Sequence, residues 1–198
     1  MTRRVVGIDP GLTRCGVGVI DVGPTRSAAL VYVGVVRSAA QARLGARLVA
    51  IADGVERLID EYQPQAFAIE EVFAQHNVRT VIGVAQISGI LVAAATRRGL
   101  PVGIHTPTQV KSAVTGYGRA GKAQVQAMVA RILGLAAPPS PPDAADALAI
   151  ALCDAWGGGT GPAGTGEQGA AGSELATPAL RRWREAERKA GAGRRLGR

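Results

Sequence analysis

Short apolar runs separated by turn-forming residues open the chain. The runs cover residues 4–9, 15–21 and 29–36. The pairs Pro10-Gly11 and Gly23-Pro24 lie between these runs and favour tight turns. This pattern predicts three strands in an antiparallel meander.

A different periodicity follows, in which apolar side chains recur every three or four positions. The series is Leu44, Leu48, Ile51, Val55, Leu58 and Tyr62. That spacing places the six side chains on one face of an amphipathic helix over residues 44–62.

Strands and helices alternate in the rest of the body of the chain. We predict strands at 66–70 and 102–106, helices at about 78–98, 108–114 and 122–133, and a last helix from Pro141-Pro142 to Trp156. This order of elements predicts an α/β fold with a five-stranded mixed sheet and helices on both faces of the sheet.

The helix at 78–98 is apolar on most of its faces, so most of its surface must be buried. One face can pack on the sheet, and another can form a symmetric contact in a homodimer. Complete burial within a single chain is the alternative, and the pattern leaves both open.

Composition changes sharply after Trp156. Residues 157–198 are rich in Gly and Ala and carry eight Lys and Arg against four Glu. Because such a segment cannot build a hydrophobic core, we predict a disordered basic tail behind a folded domain of residues 1–156.

Charge and cysteine content narrow the class of protein. The formal net charge is +8 and the pI is about 10.5, which favours a polyanionic partner such as nucleic acid. Two cysteines without clustered histidines offer no zinc site and are typical of a reducing cytoplasm.

The longest apolar run, residues 81–96, is shorter than the roughly 20 residues of a membrane span, and no secretory leader is expected. We therefore expect a cytoplasmic protein that does not enter a membrane.

Four acidic residues are the candidates for a divalent-metal site. Asp9 and Glu70 each end a predicted strand, so they lie side by side if the two strands are parallel neighbours. Asp143 and Asp146 are three positions apart at the start of the last helix, which places them on one face. Converging carboxylates repel one another unless a cation is present, and Mg²⁺ prefers such oxygen ligands.

Each acid also has an ordinary explanation when it is considered alone. Asp9 begins an Asp-Pro-Gly turn, Glu70 can be a solvated strand end, and Asp143 can cap a helix. The spacing of these residues does not by itself bring Asp143 and Asp146 to the other two.

Basic and aromatic residues supply candidates for contacts with a nucleic acid. Lys111 and Lys122 flank a glycine-rich loop that carries Arg119, an arrangement that suits a phosphate backbone, although two solvated surface lysines would give the same pattern. Phe73 follows a buried strand and is either a core residue or a probe that stacks on exposed bases. Arg79 is a weaker candidate, and so is Arg14.

Four linked motifs together resemble those of the RuvC family, the bacterial Holliday-junction resolvases. They are Gly-Ile-Asp-Pro-Gly at 7–11, Ala-Ile-Glu-Glu-Val-Phe at 68–73, His-Thr-Pro-Thr-Gln-Val-Lys at 105–111, and Asp-Ala-Ala-Asp-Ala-Leu-Ala at 143–149. They occur in the family's order, and the similarity spans about residues 4–156. The chain departs from the family at Ala74, at residues 85–89, and at Asp154, where the family usually has His; no departure removes one of the four acids.

The resemblance implies an RNase H-like fold, a homodimer, and paired magnesium-dependent nicks in strands of like polarity at a four-way DNA junction, in recombination and repair. It assigns Asp9, Glu70, Asp143 and Asp146 as catalytic metal ligands of two Mg²⁺ ions per subunit, for which Mn²⁺ can substitute. It places Lys111 and Lys122 at the phosphates near the cut, and it places Phe73 at a base by the junction centre. It also suggests cooperation with the RuvA–RuvB branch-migration complex.

Two rival functions share part of this pattern. An actin-like nucleotide hydrolase also opens with Gly-Ile-Asp-x-Gly, but it needs a duplicated second domain, and this body is short and shows no internal repeat. A non-catalytic junction-binding protein would bind the same DNA without needing intact acids.

Overall fold

A five-stranded mixed sheet lies at the centre of the computed structural model, which describes residues 2–72 and 78–157, with the backbone alone at 78–80. The strands are β1 (Arg3–Asp9), β2 (Arg14–Val22), β3 (Ala28–Arg37), β4 (Ala66–Glu70) and β5 (Val102–His105). They lie in the order β3-β2-β1-β4-β5. The first three form the predicted antiparallel meander, whereas β4 is parallel to β1 and β5 is parallel to β4. The predicted mixed sheet is confirmed.

Helices cover both faces of the sheet, as predicted. They are α1 (Leu44–Tyr62), α2 (Val78–Arg97), α3 (Pro107–Thr115), α4 (Lys122–Ile132) and α5 (Pro142–Ala155). Buried side chains of α1 and α2 form one core with the sheet, and those of α3, α4 and α5 form a second core on the opposite face. Phe73 and residues 158–198, which include nearly all of the predicted tail, lie outside the described residues.

The boundary between β5 and α3 differs slightly from the prediction because of a helix cap. Thr106, predicted as the last strand residue, is the N-cap of α3, where its side chain accepts a hydrogen bond from the backbone N–H of Gln109. The Gln109 side chain in turn accepts from the backbone N–H of Thr106, which completes a capping box.

Helix α2 is only partly buried by the residues that the structure describes. Ile87, Leu91 and Ala95 pack in the core shared with α1. A second face is exposed, and 51% of Ile82 and 36% of Ile90 are accessible. The apolar pattern therefore includes a face that the described residues of this chain leave uncovered. No helix in the described ranges is both long and apolar enough for a membrane span.

Candidate active site

The carboxyl ends of β1 and β4 place Asp9 next to Glu70. Ile8 and Ile69 are partners in the parallel register, and the two acids follow them directly. Because neighbouring strands lie roughly 4.8 Å apart, the two carboxylates enter the same region at the edge of the sheet. The parallel pairing on which the prediction depended is present.

Glycines on β1 and β2 allow α5 to lie almost directly on the sheet backbone. A Cβ atom added to Gly7 would lie 2.2 Å from the carbonyl oxygen of Ala147. One added to Gly16 would lie 2.1 Å from the carbonyl oxygen of Asp143. Helix and sheet can approach this closely only because these positions lack side chains. This contact brings the first turns of α5, with its two acids, to the end of β1.

Three aspartates converge as a result. Asp9, Asp143 and Asp146 each offer one carboxylate oxygen, and the three oxygens all lie within 4.8 Å of one another. Glu70 stands beside this trio, since it lines one cavity with Asp9 and another with Asp146. Asp143 is not the N-cap of α5, because Pro141 occupies that position and Asp143 lies inside the first turn.

Burial and crowding of negative charge raise the pKa values of the two strand-end acids. The pKa of Asp9 is raised to about 7, first by burial and then by the charges of the other three acids. Burial also raises the pKa of Glu70, and Asp146 adds to the effect. Neither residue behaves as a solvated turn or strand end. The cluster is under electrostatic strain that a cation would relieve.

Two basic side chains already contact this cluster. The Nζ atom of Lys122 lies 2.7 Å from Oδ2 of Asp146, and Nε of Arg14 lies 2.8 Å from Oδ2 of Asp143. Lys111 lines the cavity that Glu70 and Lys122 share, and its charge opposes part of the rise that burial causes in the pKa of Glu70. Both lysines therefore lie beside the acid cluster, and their contact with DNA stays a prediction.

The structure gives less information about the other residues that are predicted to contact DNA. Arg119 is exposed in the loop between α3 and α4, three residues before Lys122. The side chain of Arg79, like the whole of Phe73, lies outside the described residues. Their roles in DNA binding stay predictions.

Sequence reasoning missed two interactions near the site. The ion pair of Arg14 with Asp143 joins residues far apart in sequence, so no local signal marks it. His105 is fully buried beside Glu70 in the sheet register, and its Nε2 atom lies 3.1 Å from Oδ1 of Asp154. The departure from the family pattern at Asp154 was the available signal for this second pair.

The raised pKa of Asp9 predicts how the stability of the metal-free protein varies with pH. The folded state holds the proton up to about pH 7, whereas the ordinary value is 3.8, so the stabilisation is complete below about pH 4 and is lost as the pH rises through about 7. Relative to Asp9→Asn, we expect the metal-free wild type to lose on the order of 1–4 kcal/mol of unfolding free energy between about pH 4 and pH 8. Urea melts of both proteins in a chelator measure this difference. Parallel pH profiles would contradict the burial of Asp9 among other acids.

The fold and the site together define a class of protein. Carboxylates that meet at the end of a mixed α/β sheet, with lysine and arginine around them, suit metal-dependent chemistry on phosphate esters. Comparison with known proteins then gives the family. The family model for crossover junction endodeoxyribonuclease RuvC matches residues 5–154, so the chain belongs to the RuvC family of nucleases.

Named relatives and a solved structure support this family assignment. The RuvC crossover junction endodeoxyribonuclease of Leifsonia xyli subsp. xyli is 58% identical over 208 aligned positions, which cover the whole of both chains. That of Streptomyces avermitilis is 60% identical over 153 residues, which cover 77% of this chain and 87% of the relative. The structure of Thermus thermophilus RuvC in complex with a Holliday junction substrate superposes with a TM-score of 0.72 at 38% identity, covering 76% of this chain and 92% of that one. The predicted RNase H-like fold is thereby confirmed.

Proposed function

We propose that this chain resolves Holliday junctions by metal-dependent nicks in two strands of like polarity, in recombination and DNA repair. The observation that carries the proposal is the convergence of three aspartate oxygens within 4.8 Å, with Glu70 beside them. The Thermus thermophilus relative crystallised with a Holliday junction substrate supports the choice of DNA.

The donor set fits a hard divalent cation. All four acids offer only carboxylate oxygens, the ligand type that Mg²⁺ and Mn²⁺ prefer. We assign Asp9, Glu70, Asp143 and Asp146 as the ligands of two Mg²⁺ ions per subunit, with Mn²⁺ as a substitute. When bound, such ions lower the pKa of an attacking water and stabilise the leaving oxygen of the phosphodiester.

The basic residues position the DNA backbone in this proposal. Lys111 and Lys122 line a cavity together with Glu70 and Asp146, so a phosphate drawn to the two lysines lies next to the acids. Arg119 extends the basic surface along the loop before α4. Phe73 stacks on a base at the junction centre in this proposal, and Arg79 adds a phosphate contact.

Cleavage of three matched substrates tests the proposed function. A four-way junction, a linear duplex of the same sequence and an RNA–DNA hybrid should be compared at equal concentration in Mg²⁺. We expect paired nicks in the junction alone, with a 5′-phosphate and a 3′-hydroxyl at each cut. Preferential cutting of the hybrid would identify a different RNase H-like nuclease and contradict the proposal.

The same assay separates the two rival functions. Turnover of a nucleoside triphosphate without DNA would support an actin-like hydrolase. Tight junction binding without any nick in Mg²⁺ or Mn²⁺ would support a non-catalytic binding protein.

We also propose that the exposed face of α2 is the homodimer interface. Ile82, Gln86, Gly89 and Ile90 recur along one side of the helix and are exposed. A Cβ atom at Gly89 would meet nothing within 4 Å, so a helix from a second chain has room for close approach there. A two-fold junction needs two active sites, which a symmetric pair of subunits supplies.

Ile82→Glu is expected to convert the dimer to monomers, because a carboxylate in a packed apolar interface is costly to desolvate. Val49→Glu is the matched control, since Val49 is an apolar residue exposed by 57% that belongs to α1 and not to α2. Analytical ultracentrifugation measures the dissociation constant, which should rise at least about tenfold for Ile82→Glu and change little for Val49→Glu. Equal dissociation constants for the two variants would place the interface elsewhere.

Three further features complete the proposal. Buried, free Cys15 and Cys153 suit a reducing cytoplasm. Residues 1–156 form the nuclease domain, which the family match over 5–154 supports, and residues 157–198 form a basic tail. Cooperation with RuvA–RuvB rests on the resemblance to the family.

A further inference from the structure

Arg14 is bound to a carboxylate that the proposed metal site requires. Its Nε atom lies 2.8 Å from Oδ2 of Asp143, and Asp143 offers one of the three oxygens that converge within 4.8 Å. The guanidinium therefore neutralises part of the charge of the cluster in the same way as a bound cation would. The side chain of Arg14 is 42% exposed and that of Asp143 is 28% exposed, so water can reach the pair.

The backbone around Arg14 is held firmly, but its side chain has room to move. Ser38 donates a backbone hydrogen bond to the carbonyl oxygen of Thr13, and the Arg47 guanidinium donates to the Thr13 hydroxyl. Beside the ion pair lies a cavity of about 500 Å³, lined by residues that include Arg14, Arg47 and Asp143. The guanidinium can leave Asp143 by rotating into this open space without a change in the fold.

An arginine and a divalent ion cannot both take the same carboxylate oxygen without strong mutual repulsion. We propose that Arg14 is a displaceable internal cation, which occupies Asp143 until a divalent ion binds and replaces it. The inference rests on the proposed role of the four acids as metal ligands. It gives Arg14 a function in setting the metal affinity, in place of the weak DNA contact that the sequence suggested.

The expected effect is moderate, because the ion pair is partly exposed. The ion pair of Arg14 with Asp143 competes with the metal ion, and a partly exposed salt bridge contributes only a small free energy. Arg14→Gln should therefore bind Mn²⁺ roughly two- to fivefold more tightly than the wild type. Arg14→Lys keeps a positive charge and should stay near the wild-type affinity.

Arg37→Gln is the matched control. Arg37 is the register partner of Arg14 on the adjacent strand, it is exposed, and it forms no ion pair with the described residues. This variant removes the same charge from the neighbouring position without freeing Asp143. A general electrostatic effect would strengthen Mn²⁺ binding equally in both variants.

Isothermal titration calorimetry, with Mn²⁺ titrated into the DNA-free protein, measures the dissociation constant and tests the inference without any activity measurement. Tighter binding by Arg14→Gln, together with unchanged binding by Arg37→Gln, is the expected result. Unchanged or weaker binding by Arg14→Gln overturns the role of Arg14, and so does an equal gain in the two variants. Asp9→Asn tests the metal site separately: if it binds Mn²⁺ as well as the wild type does, the assignment of the acids fails. If neither the wild type nor Arg14→Gln binds Mn²⁺ at millimolar concentration, both proposals fail for the DNA-free protein.

Discussion

Asp9→Asn is expected to abolish nicking of a four-way junction while the junction still binds. Asp9 contributes to the three-oxygen cluster, and its position beside Glu70 is fixed by the parallel pairing of β1 and β4. An amide has nearly the same shape as the carboxylate but lacks its charge. The loss in single-turnover cleavage rate should be roughly a thousandfold or more, as is usual when one member of a catalytic set is removed. Junction affinity, measured by gel shift in a chelator, should fall little because the basic residues are unchanged.

Asp53→Asn provides the control for this experiment. Asp53 is exposed on α1, on the opposite face of the sheet from the acid cluster, and the same chemical change there should leave cleavage near the wild-type rate. Full cleavage by Asp9→Asn would remove Asp9 from the mechanism. Loss of both binding and cleavage would instead indicate that the substitution disrupts the fold.

Gly7→Ala is expected to inactivate the enzyme from a position that carries no functional group. Its added Cβ atom would lie 2.2 Å from the carbonyl oxygen of Ala147 and 2.6 Å from the backbone nitrogen of Ala151. These are backbone atoms of α5, so the helix itself must shift away from the sheet. We expect a loss of unfolding free energy of about 1–3 kcal/mol, the usual cost of overpacking, and a larger relative loss of activity because Asp143 and Asp146 move away from Asp9.

Gly45→Ala is the matched change at a position without steric conflict. A Cβ atom at Gly45, near the start of α1, would meet nothing within 4 Å, so alanine should be neutral or slightly stabilising there. Thermal melting and single-turnover cleavage of both variants give the comparison. Wild-type stability and cleavage in Gly7→Ala would show that α5 does not depend on this close approach.

Local patterns were enough to predict much of the fold. The period of α1, the apolar runs of the strands and the turn pairs between them predict elements that match the structure closely, because each depends on neighbouring residues. The pairing of β1 with β4 was a condition of the prediction, since Asp9 and Glu70 lie side by side only if those two strands are parallel neighbours. The structure shows that they are.

The placement of Asp143 and Asp146 could not be predicted in the same way. It depends on how closely α5 approaches the sheet, and the signal lies in the small residues on both sides of that contact. Gly7 and Gly16 lie within predicted strands, and the alanines of α5 lie within a predicted helix, so neither segment carries a local sign of the contact. Their meaning becomes clear only when the two surfaces are matched, because neither sequence segment specifies its partner.

The sequence could not predict what covers the exposed face of α2, for a related reason. A periodic pattern shows that a helix is apolar on most sides, but it does not say which molecule covers each side. Ile82 and Ile87 look equivalent in sequence, yet Ile82 is exposed by 51% and Ile87 is fully buried.

Anomalous diffraction from crystals soaked in Mn²⁺ tests the central claim most directly, because it locates the ion without reference to activity. We expect anomalous density among the carboxylates of Asp9, Glu70, Asp143 and Asp146, and none there in crystals of Asp9→Asn. Anomalous density coordinated by other residues, in a protein that still nicks a four-way junction, would contradict the assignment of these four acids as the catalytic metal site.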